Sequence, residues 1–316
     1  MELRRLIMLY QLSRSGTIAA TAEALSYSHS SVSAQLAELE REVGAPLLER
    51  AGRSVSLTPA GVILAAHAEK AMAADEAALA QVAAVGNTTG GDVRITFVQT
   101  PAIALLAGTL NRLAQDSPEV HVSVVQAETA PAMDDLRAHL VDLVVGIEYE
   151  PLPVGRQAQD DRHDLLRERM VVGVAPGWWA STMPSSVDLV SLRDHAWATG
   201  HLGTGLESYL RNVCNRIGGF DPRIDHRSDD ALILSALVSS GRAIALLPAL
   251  FAAQEPAIVG LPVRGVDLRR TIFIATRRSA RQSSAVRAVR KALSETAEEL
   301  TRSRDDVTMV RASSRG

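Results

Sequence analysis

Residues 17–50 constrain the fold of this chain more than any other stretch. With the 3.6-residue period of a helix, they divide into two short helices on either side of a polar turn, Ser26-Tyr27-Ser28. The second helix repeats apolar residues at Val32, Leu36 and Leu39, and Ser28 stands where an N-cap is expected. Its opposite face is short and uncharged and comprises His29, Ser30, Ser33, Ala34 and Ala37. This pattern predicts a helix-turn-helix whose second helix enters a DNA groove.

The same residues, and those that follow them, match a known family in one ungapped register. The matching positions are Gly16-Thr17-Ile18, Ala22-Glu23-Ala24-Leu25, Ser28, Ser30, Val32-Ser33, Gln35-Leu36, Leu39-Glu40, Val43-Gly44, Leu47-Leu48, Arg50, Leu57-Thr58 and Gly61. The stretch resembles the amino-terminal domain of LysR-type transcriptional regulators. The alternative is an alanine-rich hairpin that only packs, but such a hairpin need not match at polar as well as apolar positions.

Three positions depart from the pattern of that family. Ile18 stands where the family usually has an aromatic residue, which is compatible with packing. His29-Ser30 replaces a common Gln-Pro pair, and Ala34 replaces a residue that is often larger and polar or basic. These last two departures lie on the expected reading face, so they concern the operator sequence and not the fold.

The stretch Ala51–Leu57 predicts a turn at Gly52 and a short strand, which together form the wing of a winged helix. Arg50 and Arg53 flank that turn, where long basic side chains can follow a phosphate or enter the minor groove. A solvated surface arginine is the alternative for either residue. The candidate DNA-binding residues are Thr17, Ser28, His29, Ser30, Ser33, Ala34, Gln35, Arg50 and Arg53.

Net charge does not by itself indicate a nucleic-acid partner. The whole chain carries a formal charge of −3, and residues 1–60 contain six arginines and six glutamates. Any electrostatic attraction to DNA must therefore come from the placement of arginines such as Arg50 and Arg53, and from helix N-termini directed at phosphates.

A long helix is predicted from Thr58 to about Val85, with Thr58 as N-cap and Pro59 at the first helical position. It is rich in alanine and carries an apolar stripe of Leu64, Met72, Leu79 and Val82. We expect little for it to pack on in its own domain, so a helix from a second copy is the expected partner. The resemblance also implies a dimerisation linker. A glycine-rich segment, residues 86–91, then breaks the helix.

Beyond this break, strand and helix patterns alternate and predict mainly parallel sheets with right-handed crossovers. The predicted strands cover 93–98, 120–125, 143–147, 170–175, 196–199, 224–227, 244–247 and 271–276, and the helices 102–114, 133–140, 187–194, 206–217, 229–239 and 284–300. Two α/β subdomains around a cleft are expected. The resemblance, anchored here by Ser228-Asp229-Asp230 and Ile244–Pro248, implies a type 2 periplasmic-binding-protein-like effector domain.

The expected fold class is therefore α/β, with four parts in chain order. These are a winged helix-turn-helix (1–58), a linker and dimerisation helix with its hinge (59–88), an effector-binding domain of two subdomains (89–303) and a disordered tail (304–316). The tail is assigned as disordered because it is charged and has no periodicity.

Ligands of open α/β sheets bind beyond the carboxyl ends of the strands, near helix N-termini. The candidate effector-binding residues at these places are Gln99, Thr100, Glu128, Ile147, Thr199, His201 and Ser228. Hydroxyls at facing helix N-termini would hold an anion or carboxylate, whereas Glu128 requires a positive group on the ligand. An amino acid satisfies both conditions. Helix capping is the alternative role for each serine or threonine.

The remaining chemistry excludes several function classes. Cys214, the only cysteine, cannot form an intramolecular disulfide and is expected in the core, with redox sensing as the alternative. Sequence motifs for catalysis, cofactors or metals are missing, so we expect neither an enzyme nor a cofactor. Because no signal peptide opens the chain and no apolar run would span a bilayer, we expect a cytoplasmic protein.

Together, these features predict a ligand-responsive transcription regulator. Its expected partners are double-stranded operator DNA, a small-molecule effector, further copies of itself in a homodimer or homotetramer, and RNA polymerase. A solute-binding receptor and an enzyme on the same scaffold are the alternatives. The DNA-reading head and the missing signal peptide disfavour the receptor, and the sequence offers no catalytic constellation for the enzyme. The effector, the operator and the direction of regulation stay open.

Overall fold

The structure is a computed structural model that describes residues 1–51, 54–85, 90–152, 155, 157–178 and 183–310. Along the chain it contains a three-helix head with a two-stranded wing, one long helix, and an α/β part made of two subdomains. This is the fold class that the sequence predicts.

The head is formed by α1 (Leu3–Ser15), α2 (Ile18–Ala24), α3 (His29–Val43), β1 (Leu48–Ala51) and β2 (Ser54–Leu57). Thr17 and Ser28 cap α2 and α3, because each side-chain hydroxyl accepts a hydrogen bond from the backbone N–H three residues later, at 3.1 Å. The apolar stripe of α3 is fully buried against α1, as predicted. The two strands pair in antiparallel fashion to make the wing.

The long helix α4 covers Pro59–Val85, and Thr58 caps it by accepting from the backbone N–H of Gly61 at 3.1 Å. Its first half packs on α1 and buries Ala68 and Met72 in the core of the head. The expectation that this helix has little to pack on in its own domain is therefore wrong for this half. The second half packs on the segment Ser279–Gln282 of the α/β part and buries Ala80, but it leaves Leu79 exposed.

The α/β part contains the remaining strands and helices. The strands are β3 (Gly91–Phe97), β4 (Val120–Gln126), β5 (Leu143–Tyr149), β6 (Asp160–Val174), β7 (Ala196–Thr199), β8 (Arg223–Arg227), β9 (Ile244–Pro248), β10 (Val259–Leu261), β11 (Arg269–Arg277) and β12 (Val307–Met309). The helices are α5 (Gln99–Asp116), α6 (Thr129–Arg137), α7 (Gly205–Val213), α8 (Ala231–Ser239), α9 (Ala249–Ala252) and α10 (Ser284–Arg302). Short 3-10 helices cover Leu189–Leu192 and Ser279–Gln282, and a π-helical turn covers Cys214–Gly218.

The strands form one continuous order, β4-β3-β5-β11-β6-β9-β7-β8, with β10 and β12 also paired to β6. Pairs within each subdomain are parallel, namely β3 with β4 and β5, and β7 with β8 and β9. The strands β6 and β11 run antiparallel to their neighbours and connect the two subdomains. The prediction of mainly parallel sheets therefore holds for the two outer parts of the sheet and not for its centre.

The strand β6 is much longer than predicted, because it begins at Asp160 and not at residue 170. Its first half is rich in charged residues that form ion pairs, such as Arg162 with Asp164 at 2.7 Å. Its second half is apolar and buried. Hydropathy alone detects only this second half of β6. The charged first half, which the prediction missed, is part of the connection between the subdomains.

Residues 304–310 are ordered, which corrects the prediction of a disordered tail from residue 304. Arg304 and Asp306 form an ion pair at 2.5 Å, and Val307 is buried where β12 adds to β6. The charges that suggested disorder are thus paired locally, and one apolar side chain anchors the strand. Residues 311–316 lie outside the described part of the chain.

Cys214 is buried, as predicted, and burial raises the pKa of its thiol to about 12. A thiol that keeps its proton is a poor nucleophile, so the redox alternative receives no support. None of the described helices is long and apolar enough to cross a membrane.

Candidate DNA-reading and effector-binding sites

The outer face of α3 is the candidate reading surface. His29, Ser30, Ser33 and Ala34 are all exposed there, on the side opposite the buried stripe. Ser28 uses its hydroxyl to cap the helix and lies 3.1 Å from the hydroxyl of Ser30. A helix N-terminus with small, uncharged side chains can approach base edges and phosphates closely.

Gln35 lies on a different side of α3 from the other candidates. It is half-buried, and Nε of Arg5 donates to its Oε1 at 2.9 Å. Arg5 in turn pairs with Glu42 at 2.6 Å, so α1 and α3 are joined by a polar network. The position three residues after Val32 places Gln35 beside the core stripe, and the sequence match alone did not distinguish the two faces.

The other predicted DNA-binding residues lie at the edges of this surface. Thr17 is exposed at the start of α2, where its hydroxyl caps the helix. Arg50 belongs to β1, but its side chain is outside the described part, and Arg53 is outside it altogether. The wing candidates therefore stay predictions.

A second candidate site lies in the cleft between the subdomains. Four of the seven predicted effector residues line it, namely Gln99, Thr100, Glu128 and Ile147. The cavity volume is about 50 Å³, so little space is left between the walls. The other three predicted residues, Thr199, His201 and Ser228, are not part of its wall.

The cleft also contains residues that the sequence did not single out, and Arg270 at the start of β11 is the most important. Its side chain is fully buried, forms an ion pair with Glu168 at 2.7 Å and donates to the hydroxyl of Thr100 at 2.8 Å. Because Glu168 is buried too and also accepts from the backbone N–H of Leu250, the guanidinium charge is already compensated. Arg269 and Arg270 are adjacent in sequence, and only the folded structure shows that Arg270 is the buried one.

Two further carboxylates border the cavity, one from each subdomain. Glu128 immediately precedes α6, which begins four residues earlier than predicted, and Asp229 precedes α8. Burial raises the pKa of Glu128, and the nearby charge of Asp229 raises it further, while Arg270 acts in the opposite direction. The cleft thus holds an excess of negative charge.

His201 supports Asp229 from outside the cavity. Its backbone N–H donates to Oδ1 of Asp229 at 2.9 Å, and its ring Nδ1 lies 2.8 Å from Oδ2. Gly200 allows this close arrangement, because a Cβ there would lie 2.8 Å from Oδ1 of Asp229 and 2.3 Å from the hydroxyl of Thr204. His201 is therefore a positioning residue and not part of the cavity wall.

Ser228 and Thr199 take structural positions. The hydroxyl of Ser228 accepts from the backbone N–H of Asp230 at 3.1 Å, in the turn that leads into α8. Thr199 is buried at the end of β7. Helix capping was the alternative role for Ser228, but Asp230 is the residue that caps α8. Neither Ser228 nor Thr199 lines the cavity.

Gln99 connects the two subdomains across the cleft. Its Nε2 donates to Oδ1 of Asp230 at 3.0 Å, and its Oε1 accepts from the backbone N–H of Ala231 at 2.7 Å. The hydrogen bond from Gln99 is the main reason that the pKa of Asp230 is lowered. Within the described residues, no group of three or more His, Cys, Asp or Glu side chains could hold a metal ion.

Two family profiles match the chain. The profile described as "Bacterial regulatory helix-turn-helix protein, lysR family" matches residues 3–62, and "LysR substrate binding domain" matches residues 86–298. The chain belongs to the LysR family. These matches cover both the DNA-reading head and the cleft, so the protein is a LysR-type DNA-binding regulator with a substrate-binding domain.

Full-length relatives of this LysR-family chain are transcription regulators. It is 27% identical to the transcriptional dual regulator GltC of Bacillus subtilis (strain 168) over 276 residues, which cover 87% of this chain and 90% of that protein. It is also 27% identical to the HTH-type transcriptional regulator IlvY of Escherichia coli (strain K12) over 265 residues, or 81% of this chain and 84% of that protein.

Solved structures share the fold. A full-length OxyR variant from Pseudomonas aeruginosa is similar with a TM-score of 0.67 and 21% identity, covering 93% of this chain and 94% of that chain. Full-length CbnR complexed with its target DNA is similar with a TM-score of 0.55 and 21% identity, covering 94% and 100%. The shared fold extends through the head, the long helix and the α/β part.

Proposed function

We propose that this LysR-family protein is a homo-oligomeric regulator whose effector carries a cationic amino group and binds in the cleft. The observation that carries the proposal is the pair Glu128 and Asp229 on opposite walls of a cavity whose arginine is already paired. An anion in this cavity would be repelled by both carboxylates. A ligand ammonium placed between them would be attracted by both.

The polar wall beside Arg270 completes the expected ligand. Arg270 holds the hydroxyl of Thr100 at the cavity, next to the first turn of α5. This wall offers hydrogen bonds, and some positive potential from the helix N-terminus, to a carboxylate on the same ligand. A zwitterionic amino acid therefore fits better than a simple carboxylate, which would leave Glu128 and Asp229 uncompensated.

The DNA-binding part of the proposal rests on the reading surface. Ser30, Ser33 and Ala34 are exposed on α3 with no acidic side chain among them, so a duplex can approach without charge repulsion. We assign operator contacts to this face, to Thr17 and to the wing arginines. We place the head at residues 1–58, the linker at 59–88 and the effector-binding domain at 89–310, which extends the boundary predicted from sequence to include β12.

Oligomerisation is proposed from α4. Leu79 is 64% exposed and Val82 is 69% exposed, on the half of the helix that extends past the head. Apolar residues at helical spacing, with small Ala78 beside them, favour pairing with a second helix of the same kind. Two copies would place two reading helices at a fixed distance, as an operator with two half-sites requires.

A thermal-shift experiment on the full chain tests the ligand class. The probes are the common L-amino acids, their 2-hydroxy-acid analogues, which lack the amino group, and the corresponding primary amines. At a ligand concentration of 100 times Kd, binding stabilises the folded state by roughly 2.7 kcal/mol. We expect at least one amino acid to raise Tm while its hydroxy acid does not. Stabilisation by hydroxy acids to the same extent would contradict the proposed role of Glu128 and Asp229.

A further inference from the structure

The helix α6 connects the ligand cleft with the DNA-reading head of the same chain. It is nine residues long, which corresponds to about 13 Å at 1.5 Å per residue. Glu128, the residue that precedes it, borders the cleft, and its last turn lies against α1 of the head.

The cleft end of α6 is fixed to the wall of the cavity. The hydroxyl of Thr129 donates to the backbone carbonyl of Ile147 at 3.2 Å and accepts from its N–H at 3.0 Å. Ile147 and Glu128 both line the cavity. A ligand that moves either residue therefore acts directly on the first turn of α6.

The far end of α6 contacts the head through two side chains of α1. The hydroxyl of Tyr10 donates to the backbone carbonyl of Arg137 at 2.8 Å, and Tyr10 is only 5% exposed. Arg14 pairs with Asp134 at 2.9 Å, one turn earlier on α6. These contacts bridge more than a hundred positions of sequence, so they join the head to the effector-binding domain.

Packing along the middle of α6 makes it a stiff connection. Ala132, Met133 and Leu136 are buried against β5 and β11, and Arg137 pairs with Asp160 at 2.8 Å. A helix held along one face moves as a unit and does not bend between its ends. Displacement at Glu128 is thus transmitted to Arg137.

From α1 the connection continues to the reading helix. Arg5 of α1 donates to Gln35 of α3, and the buried faces of the two helices share one core. A shift of α1 must therefore carry α3 with it. Gln35 is half-buried and lies away from the reading face, and it links α3 to α1 by accepting from Arg5.

The long helix α4, whose first half packs in the core of the head, is attached to the same subdomain at a second, stronger point. Glu76 of α4 pairs with the buried Arg277 of β11 at 2.6 Å, and Arg277 also pairs with Asp142 and donates to backbone carbonyls. The α1–α6 contact has one neutral hydrogen bond and one largely exposed ion pair, which contribute less. The α1–α6 contact is therefore expected to break before the Glu76–Arg277 contact. The head would then rotate about the Glu76–Arg277 contact.

On the basis of the function proposed above, we propose that the contact of Tyr10 and Arg14 with α6 is the joint through which the cleft controls the position of the DNA-reading head. A ligand at Glu128 shifts α6, and the shift changes or releases this joint. Because coupling between two sites is reciprocal, DNA binding also changes the affinity of the cleft by the same factor.

Hydrogen–deuterium exchange of the full-length protein tests the joint without a known effector. The variant Glu128→Gln serves as the perturbation in the cleft, alone and together with Tyr10→Phe and Arg14→Ala. Glu128→Gln is expected to change exchange in residues 129–137 and also in 10–15. In the double-variant background, the change should stay within 129–137. The proposal is overturned if residues 10–15 respond equally in both backgrounds, or do not respond in the wild-type background.

Arg41→Ala is the matched control, because it removes an exposed arginine of the head that lies on α3, away from the joint. It should leave the response of residues 10–15 intact, and loss of that response would contradict the assignment to Tyr10 and Arg14. The second readout is affinity for DNA upstream of the gene. In the Tyr10→Phe, Arg14→Ala background, Glu128→Gln should change the DNA affinity by no more than about twofold, as expected for uncoupled sites. If no variant binds this DNA specifically, the proposed function fails, whereas the exchange pattern still decides the joint.

Discussion

Gln99 in the first subdomain and Asp230 in the second are joined across the cleft by a hydrogen bond of 3.0 Å. The other end of the same amide accepts from the backbone N–H of Ala231. Gln99 therefore links the two walls of a cavity of about 50 Å³ through two hydrogen bonds. Entry of an effector requires these two bonds to break, or the walls to separate around them.

Replacing Gln99 with alanine should weaken this closure. Loss of two hydrogen bonds is expected to lower the free energy of unfolding by about 1–3 kcal/mol. The measurement is the urea midpoint of the full chain, compared with Gln254→Ala, which changes an exposed glutamine outside the cleft. Equal midpoints for the two variants would show that Gln99 does not hold the subdomains together.

The variant Glu128→Gln should be more stable than the wild type at neutral pH. The pKa of Glu128 is raised above its ordinary value of 4.5 by burial and by Asp229. A raised pKa means that the folded state holds the proton more tightly, so stability is lost as pH rises through the folded pKa. Glutamine does not titrate, and its advantage should disappear below pH 4.5. Comparing Tm at neutral and acidic pH checks this, and an advantage that persists in acid would contradict it.

Periodicity was sufficient for the head and the long helix. Val32, Leu36 and Leu39 follow the helical period and are buried, while Ser28 and Thr58 cap helices that begin where the sequence predicts. These elements depend on local interactions. Each is specified within a few residues, so one sequence is enough to find it.

The cleft was only half predictable, because its chemistry comes from distant parts of the chain. Gln99, Thr100, Glu128 and Ile147 could be found because they end strands or begin helices. Arg270 enters from a strand that crosses between the subdomains, and its burial depends on Glu168 more than a hundred positions away. The charged half of β6, which carries Glu168, resembles a solvated loop in hydropathy and reveals its pairing only in the folded sheet.

The exposed half of α4 should be the dimer contact. Replacing Ala78 and Leu79 with glutamate should place charges in that contact and dissociate the oligomer by repulsion and desolvation. Sedimentation velocity checks this, with Lys70→Glu as the control on an exposed position nearer the head. An unchanged sedimentation coefficient for Ala78→Glu, Leu79→Glu would exclude this half of α4 as the contact. Ala71 is a weaker target than Ala78, since it is half-buried.

Arg53→Ala tests the wing. If this arginine contacts a phosphate, its loss should weaken binding to all DNA sequences alike and lower the salt slope of binding by about one. Gel-shift titrations at several salt concentrations, on upstream DNA and on a scrambled duplex, provide the slopes. A loss confined to the upstream DNA would mean that Arg53 reads bases instead.

The exposed face of α3 is expected to read a specific DNA sequence, and a competition gel-shift on DNA upstream of the gene tests this. The wild type should bind this duplex in the presence of excess non-specific competitor. Ser33→Glu should lose that binding through repulsion from phosphates, while far-UV circular dichroism and sedimentation stay unchanged, because Ser33 is exposed and the substitution leaves the buried stripe intact. Wild-type affinity in Ser33→Glu would show that this face of α3 does not read DNA.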